Sequence, residues 1–412
     1  MISRERVRKA INRTEPDRVP IDIGGTKVTG IHMDEYIGLG EYLGVDVAPP
    51  KVYEQFVMLA RIDELIRQRL HADVIEIENP IETWGFLNNG WKTWENGKGN
   101  NVLVPAVFDP ERDGKTGYYY IKDKNGKIIA SMPPDGLYFE RYCNTQISDE
   151  IIKMDPDEWE KSLSVYGDGE LTQMEKTAKY YYEYTDYSLH GGFAKGKMGS
   201  SGLYAGLNVS DWMITLILDP DYAFAILNAS ARNAVRNLEV YLQAVGKYID
   251  TILVCGTDFG SQRCELINPD LFKRLYVPNI KLMNDYVHGH SNAKTMFHSC
   301  GSVRNLIQHF IDGGVDILNP VQVEAEGMDP IELKNKYGND MVFWGGAADP
   351  QSTFLTGTTE QVREQVKDRL RAFAPNGGYV CASVHNIQYG IPPANIIAMA
   401  DAALEFGQYP IA

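Results

Sequence analysis

The sequence predicts an α/β fold, a (β/α)8 barrel of the TIM type that carries a β-rich insertion near its mouth. Short apolar runs alternate with amphipathic helical patterns through most of the chain. Eight of these runs have the character of buried strands, which favours a closed parallel barrel. An open doubly wound sheet is disfavoured, because no Gly-rich phosphate-binding loop follows the first run. The 412 residues are expected to form one domain, 1–412, since barrels often exceed the usual domain size.

The predicted strands are continuous apolar runs, as expected for strands buried on both faces. They span residues 18–23, 72–78, 184–190, 251–255, 294–298, 315–319, 341–344 and 378–383. Apolar residues at helical spacing fill most of the intervals, notably 223–248, 269–288, 303–311, 359–373 and 393–406.

One region breaks this alternation and is predicted to be the insertion. Residues 84–145 are rich in Trp, Tyr, Gly and Asn, and Asn125 and Gly126 stand between two extended runs. An Asn-Gly pair in this setting is a strong signal for a β-hairpin. Such an insertion either caps the barrel mouth and shapes the substrate pocket or is a surface ribbon without a part in binding. The sequence leaves both readings open.

Composition excludes several function classes. The formal net charge of −15 argues against nucleic acid and against an anionic membrane surface as partners. Five cysteines, an odd number without close pairing, do not form a disulfide framework. The charged N-terminus does not resemble a secretory signal, and no apolar stretch reaches the length of a membrane span. A cytoplasmic protein is therefore expected.

The candidate site follows from the rule that barrel active sites collect at the carboxyl ends of the strands. His298 and Cys300 end the fifth strand two residues apart, so an extended backbone directs both side chains into one cavity. An imidazole and a thiolate together suit zinc. By the same parity Cys381, Ser383 and His385 share a face of the eighth strand. Either Cys381 or His385 could then supply a third ligand, which would leave one coordination position open. The alternative is that these side chains are packed and hydrogen-bonded without a metal.

Further polar residues end the other strands. Asp258, after the fourth strand, is a candidate general acid, a partner of a metal ligand or a substrate anchor, and the alternative is a helix-capping carboxylate. Four more side chains are candidates for binding the substrate: Gln322, Trp344, Asn386 and Gln388.

At these residues the sequence resembles the uroporphyrinogen decarboxylase-like superfamily. The matching segments are PDRVPIDIGGTKVTGI, VCGTDFGSQ, FHSCGSVRNLIQHFIDGGVDILNPVQ, FWGGAADPQ and GGYVCASVHNIQYGIPPANI. They cover both ends and most of the C-terminal half in the expected order. The resemblance implies a (β/α)8 barrel.

Two branches of the superfamily compete. The decarboxylases carry an arginine-rich segment near the first strand that holds a polycarboxylated tetrapyrrole, whereas here no arginine follows Arg18 in that segment. The other branch, the zinc- and corrinoid-dependent methyltransferases, carries an H-x-C motif and a distant Cys. His298 and Cys300 match the first part. Counted back from Pro392, the position of the distant Cys falls nearer His385 than Cys381.

The resemblance therefore implies a zinc-dependent methyltransferase. It would move a methyl group from a small donor to the cobalamin (corrinoid) of a partner protein, with Asp258, His298 and Cys300 as the catalytic residues. An aromatic methyl ether, as in O-demethylases, is the preferred donor, because the Trp and Tyr residues of the insertion could stack on its ring. A decarboxylase without metal and a non-catalytic tetrapyrrole-binding protein are the alternatives. A homodimer is one expectation for the oligomeric state.

Overall fold

The computed structural model describes the whole chain except residues 48, 82–83, 86, 124, 142–146, 149, 197–203 and 412. Its strands are β1 (Ile31–His32), β2 (Val52–Glu54), β3 (Leu59–Ala60), β4 (Val74–Ile77), β5 (Lys92–Glu95), β6 (Asn101–Val104), β7 (Glu111–Arg112), β8 (Tyr119–Lys122), β9 (Ile128–Met132), β10 (Glu140–Arg141), β11 (Ser188–Gly191), β12 (Thr251–Gly256), β13 (Lys294–His298), β14 (Ile317–Asn319), β15 (Val342–Trp344) and β16 (Tyr379–Val380).

The helices alternate with the strands in the C-terminal half. They are α1 (Ser3–Ile11), α2 (Met33–Leu43), α3 (Glu64–Arg69), α4 (Pro156–Ser162), α5 (Asp168–Tyr184), α6 (Val209–Leu218), α7 (Pro220–Val245), α8 (Pro269–Leu275), α9 (Val277–His290), α10 (Ile307–Asp312), α11 (Pro330–Tyr337), α12 (Thr353–Thr356), α13 (Thr359–Phe373) and α14 (Pro393–Phe406). None of the helices described has the length and apolar character that crossing a bilayer requires.

Seven parallel strands form the curled sheet of a TIM-type barrel, in the order β4, β11, β12, β13, β14, β15, β16. The chain segment around Ile21 stands in the eighth position. The amide of Cys381 donates to Pro20 O at 2.8 Å and that of Asp22 to Cys381 O at 2.9 Å, while on the other side Asp73 N donates to Ile21 O at 2.8 Å. Backbone hydrogen bonds therefore join the first and last strands of the sheet through this segment, and the predicted fold class is confirmed.

Side chains on the barrel strands alternate between two cores. Val74, Leu253, Met296, Ile317 and Val342 belong to an inner cluster. Their neighbours Phe297, Leu318 and Phe343 belong to the larger cluster that includes the helices. Because paired residues of parallel strands lie at one level, Leu253, Met296, Ile317 and Val342 form a layer inside the barrel. Residues two positions further along β13, β14 and β15 therefore point inward at the carboxyl end, whereas a register shift after Leu253 places Cys255 of β12 in the outer core.

The predicted insertion has its own β-structure where it is described. Strands β5 and β6 pair antiparallel, and β7 to β10 form a four-stranded sheet. The predicted hairpin is confirmed: β8 pairs with β9, and Gly126 in the intervening turn has φ +81°. Lys98, between β5 and β6, lies with its Nζ 3.3 Å from the ring centre of Tyr389. Because Tyr389 belongs to the loop after β16, the insertion lies beside the barrel mouth.

Two predicted elements differ from the structure for identifiable reasons. Residues 18–23 form isolated bridges, at Arg18 and Ile21, in place of a continuous strand. Pro20 has no N–H to donate, and the amide of Ile21 donates to the Asp73 carboxylate at 2.8 Å. The predicted strand at 184–190 begins only at Ser188, because α5 extends to Tyr184.

Candidate metal centre

His298 is the last residue of β13 and points into the barrel at its carboxyl end. It follows Met296 of the inner layer by two positions, and it is paired in register with Asn319 on β14. Its ring is buried, with Nδ1 2.6 Å from Asn319 Oδ1. The other ring nitrogen, Nε2, lies on the side of Cys300 and Asp258, 3.8 Å from Asp258 Oδ1.

Cys300 lies two residues beyond His298, as the H-x-C spacing predicted. Its Sγ is 3.6 Å from His298 Nε2. The Cys300 amide donates to Asp258 Oδ1 at 2.7 Å, so the loop after β12 holds the loop after β13 in place. Burial, with the neighbouring Asp258 carboxylate, raises the pKa of the Cys300 thiol well above its ordinary value. A cation bound beside the sulfur would oppose this effect by favouring the thiolate.

His385 reaches the same place from the loop after β16. Its ring lies edge-on to that of His298, with 5.4 Å between the ring centres. The backbone of His385 has φ +82°, a left-handed conformation that is uncommon for a residue other than glycine. Burial, and the positive charge that His298 can carry, lower the pKa of His385 to about 4. The imidazole is therefore neutral near pH 7, which is the form that binds a metal ion.

These three side chains fit a zinc ion. One ligand atom from each of His298, Cys300 and His385 lies within 4.8 Å of the others. Zinc bonds of about 2.0–2.1 Å to nitrogen and about 2.3 Å to sulfur, in tetrahedral geometry, separate the two atoms by about 3.6 Å. The separation between His298 Nε2 and Cys300 Sγ is 3.6 Å. Among the described residues, no other group of three such side chains meets this condition.

Cys381 is not part of this group. Val380 and Ala382 belong to the inner barrel cluster, whereas Cys381, between them, packs in the outer core. Burial raises the pKa of its thiol to about 12. The parity that assigned Cys381 and His385 to one face does not apply, because β16 ends at Val380 and the chain turns at His385. Of the two ligands left open by the sequence, the structure places His385 beside His298 and Cys300.

A cavity of about 430 Å³ lies over the candidate centre. Its lining consists of Asp258, Gly260, Ser261, Gln262, Cys300, Gly301, Gln322, Asp349, Pro350, Gln351, Val384, His385 and Gln388. Among the described residues, the lining contains two carboxylates and four glutamine amides but no lysine, arginine, phenylalanine, tyrosine or tryptophan. Three of the side chains predicted from the sequence, Asp258, Gln322 and Gln388, therefore face a polar pocket that has room for a small molecule.

Two predicted substrate-binding residues lie elsewhere. Trp344 is buried in the inner barrel cluster, where its Nε1 donates to Asp22 Oδ2 at 2.8 Å. Asn386 is buried with its Oδ1 accepting from Gly30 N at 2.8 Å. Neither residue lines the cavity. Trp344 contacts Asn319, the residue beside His298: the Trp344 carbonyl accepts a hydrogen bond from Asn319 Nδ2 at 2.9 Å.

Sequence reasoning missed several residues of the site. Asn319 was recognisable as the residue that ends β14, but only the strand register shows that it stands beside His298. Gln262, Asp349 and Gln351 line the cavity from loops after β12 and β15. All three lie in segments that carry the family resemblance, VCGTDFGSQ and FWGGAADPQ, but positions in loops have no periodic signal that would show which side chains face the cavity.

Arg18 lies at the opposite end of the barrel. Its Nη1 is 2.8 Å from Asp73 Oδ2, and Arg6 Nη1 is 2.7 Å from Asp73 Oδ1. Asp73 immediately precedes β4, at the amino end of the strands. Arg18, the one arginine of the first-strand segment, therefore forms an ion pair at the amino end of the barrel and does not face the cavity.

Comparison with known proteins agrees with this architecture. The model of the uroporphyrinogen decarboxylase (URO-D) family matches residues 201–406, half of the chain. The protein therefore belongs to the URO-D family. A search of curated proteins found no match.

Solved structures extend the similarity over the whole chain. A methyltransferase from Methanosarcina mazei superposes with a TM-score of 0.58 at 16% identity, covering 98% of this chain and 99% of that one. At this identity the match establishes a shared fold and not a shared reaction. A B12-independent methionine synthase from Shewanella sp. W3-18-1 matches 87% of this chain and 96% of its own, at 11% identity and a TM-score of 0.41, too low to establish a common fold.

Proposed function

We propose that this protein is a zinc-dependent methyltransferase that transfers a methyl group from a small methyl donor to the corrinoid of a separate partner protein. The observation that carries the proposal is the meeting of His298, Cys300 and His385 within 4.8 Å under a polar cavity. Three protein ligands with room for a fourth are typical of catalytic zinc sites, whereas structural sites are closed by four.

In this proposal His298, Cys300 and His385 hold the ion, and zinc supplies Lewis-acid activation of the donor's heteroatom when bound. Methyl transfer would break the carbon–heteroatom bond of the donor, and the partner's corrinoid, reduced to Co(I), would supply the electron pair for the new bond to the methyl carbon. The electron pair of the broken bond stays on the heteroatom, which takes up a proton. Asp258, whose Oδ1 lies 3.8 Å from His298 Nε2, is the carboxyl group that we assign to this proton transfer.

A methyl ether is the donor that we propose, with an aromatic ether as the first to test because a phenolate is a good leaving group. The polar lining of the cavity indicates what substituents the rest of the donor molecule should carry. Gln322 and Gln388 offer amides for hydrogen bonds to the donor, while the described part of the lining has no lysine or arginine to pair with a carboxylate. We therefore expect donors with neutral polar substituents to be preferred over carboxylated ones.

The aromatic rings of the insertion are a separate feature: Trp94, Phe108 and Tyr119 pack on one another.

The same lining weighs against decarboxylation of a polycarboxylated tetrapyrrole. Such a substrate needs several cationic partners, and Arg18, the one arginine of the first-strand segment, is bound to Asp73 at the barrel base. Among the described residues, Cys264, Cys300 and Cys381 are free thiols, which is in keeping with the cytoplasmic setting that we propose.

The test combines metal analysis with a methyl-transfer assay. Purified wild type is expected to carry about one zinc ion per chain, and His298→Ala, Cys300→Ala and His385→Ala are expected to lose it. Methyl transfer is followed by the change in absorption when reduced free cobalamin is methylated in the presence of 2-methoxyphenol. Wild-type protein without stoichiometric metal would favour a metal-free decarboxylase. Bound zinc without transfer from any methyl ether would remove the proposed donor class.

A further inference from the structure

We propose that Asn319 is a positioning residue that fixes His298 in the one tautomer able to bind the metal. The proposal rests on the proposed function, since it concerns how the chain prepares the zinc site. A neutral imidazole carries one proton, on either Nδ1 or Nε2, and only the unprotonated nitrogen can bind a metal ion. The ring of His298 must therefore hold its proton on the side away from Cys300.

The hydrogen bonds around Asn319 determine where that proton is. Asn319 Nδ2 donates to the carbonyl of Trp344 at 2.9 Å, and a carbonyl can only accept. The amide is thus oriented with Oδ1 toward His298, 2.6 Å from Nδ1. Because Oδ1 is itself an acceptor, Nδ1 of His298 carries the hydrogen. The lone pair then lies on Nε2, the atom that is 3.6 Å from Cys300 Sγ.

The surroundings of Asn319 make this orientation stable. The side chain is fully buried, so water does not compete for its amide. The backbone carbonyl of Asn319 also accepts from Ser299 N at 2.8 Å, between the two proposed ligands. One residue thus holds the His298–Cys300 segment by its main chain and orients the His298 ring by its side chain.

Partners of this kind on metal-binding histidines typically change metal affinity by about 10- to 100-fold when they are removed. Asn319→Leu removes the acceptor, and we expect zinc affinity to fall by about that factor. Asn319→Asp keeps an oxygen acceptor beside Nδ1, the arrangement of a carboxylate–histidine–zinc triad, but loses the donor to the Trp344 carbonyl, so its zinc affinity should exceed that of Asn319→Leu. A matched control is Asn395→Ala. That amide is also buried and donates to two main-chain carbonyls, of Phe354 and Gly357, at 3.0 Å each.

The experiment measures zinc affinity by competition with a chromophoric chelator, together with the ¹⁵N chemical shifts of His298 in zinc-free wild-type protein. We expect a protonated Nδ1 in the spectrum, weaker zinc binding by Asn319→Leu, and wild-type binding by Asn395→Ala. A protonated Nε2, or equal affinities for wild type and Asn319→Leu, would overturn the assignment. If Asn319→Leu does not fold, the His298 tautomer in the wild-type spectrum and the zinc affinity of Asn319→Asp still test the assignment. Failure of wild type itself to bind zinc would instead refute the proposed function.

Discussion

The turn that carries Cys300 depends on a glycine, and replacing it tests whether backbone packing holds the site together. Gly301 has φ +84°, a conformation that costs a residue with a Cβ about 1–2 kcal/mol. A methyl group at this position would also lie 2.4 Å from the carbonyl carbon of Gly260 and 2.6 Å from Ser261 O. Both neighbours are main chain, so they cannot move aside as a flexible side chain would.

We therefore expect Gly301→Ala to lower the free energy of unfolding by two separate contributions. The left-handed backbone contributes about 1–2 kcal/mol, and forcing the two loops apart contributes about 1–3 kcal/mol more. The chain offers a matched control in Gly126, which has φ +81° and no heavy atom within 4 Å of the added Cβ. Gly126→Ala should show the backbone contribution alone.

The assay is denaturant unfolding of wild type and both variants, with zinc content measured on the same samples. Gly301→Ala should be less stable than Gly126→Ala by about 1–3 kcal/mol, and it should lose zinc because Cys300 shifts with the turn. Equal destabilisation of the two variants, with full zinc in both, would refute the reasoning that the close approach of these loops positions the thiol.

Three further predictions concern the barrel and its site. Cys381→Ser should keep its zinc on metal analysis, because the thiol faces the outer core; loss of zinc would return Cys381 to the ligand set. In denaturant titration, Asp73→Asn should lower the free energy of unfolding by about 3 kcal/mol or more, because it removes a buried partner of two arginines. Asp401→Asn, at a more exposed ion pair, should lower it by less than about 1 kcal/mol. Burial raises the pKa of Glu35 to about 7, above its unfolded value of about 4.3. Between these two values the folded state keeps a proton that the unfolded chain releases, so wild-type stability falls as the pH rises from about 4 to about 7. Glu35→Gln should gain stability relative to wild type over this window and keep the gain above it; parallel profiles would contradict this.

The strand pattern was predictable because burial on both faces imposes continuous apolar runs. β13 begins and ends at the residues predicted, Lys294 and His298. The segment at 18–23 was correctly placed between the last strand and β4, but its irregularity was not foreseen. It depends on a long-range bond between Ile21 and Asp73, and local propensity carries no information about such a bond.

The site was predictable only in part for a related reason. The pair His298 and Cys300 followed from spacing along one strand, and the structure brings these side chains together. Cys381 and His385 both stayed open because a straight strand would direct both side chains to one face, whereas the chain leaves the strand before His385. The count back from Pro392 pointed to His385. Asn319 belongs to the site through the register of two strands, which a single sequence does not specify.

The proposed function depends on one metal ion that is bound by two imidazoles and one thiolate at the barrel mouth. X-ray absorption at the zinc edge of the purified protein would identify the atoms bound to that ion. We predict one sulfur at about 2.3 Å, two imidazole nitrogens at about 2.0–2.1 Å, and a fourth ligand atom that is oxygen or nitrogen and not sulfur. A spectrum with two sulfur ligands, with none, or without zinc in the sample would contradict the assignment of His298, Cys300 and His385.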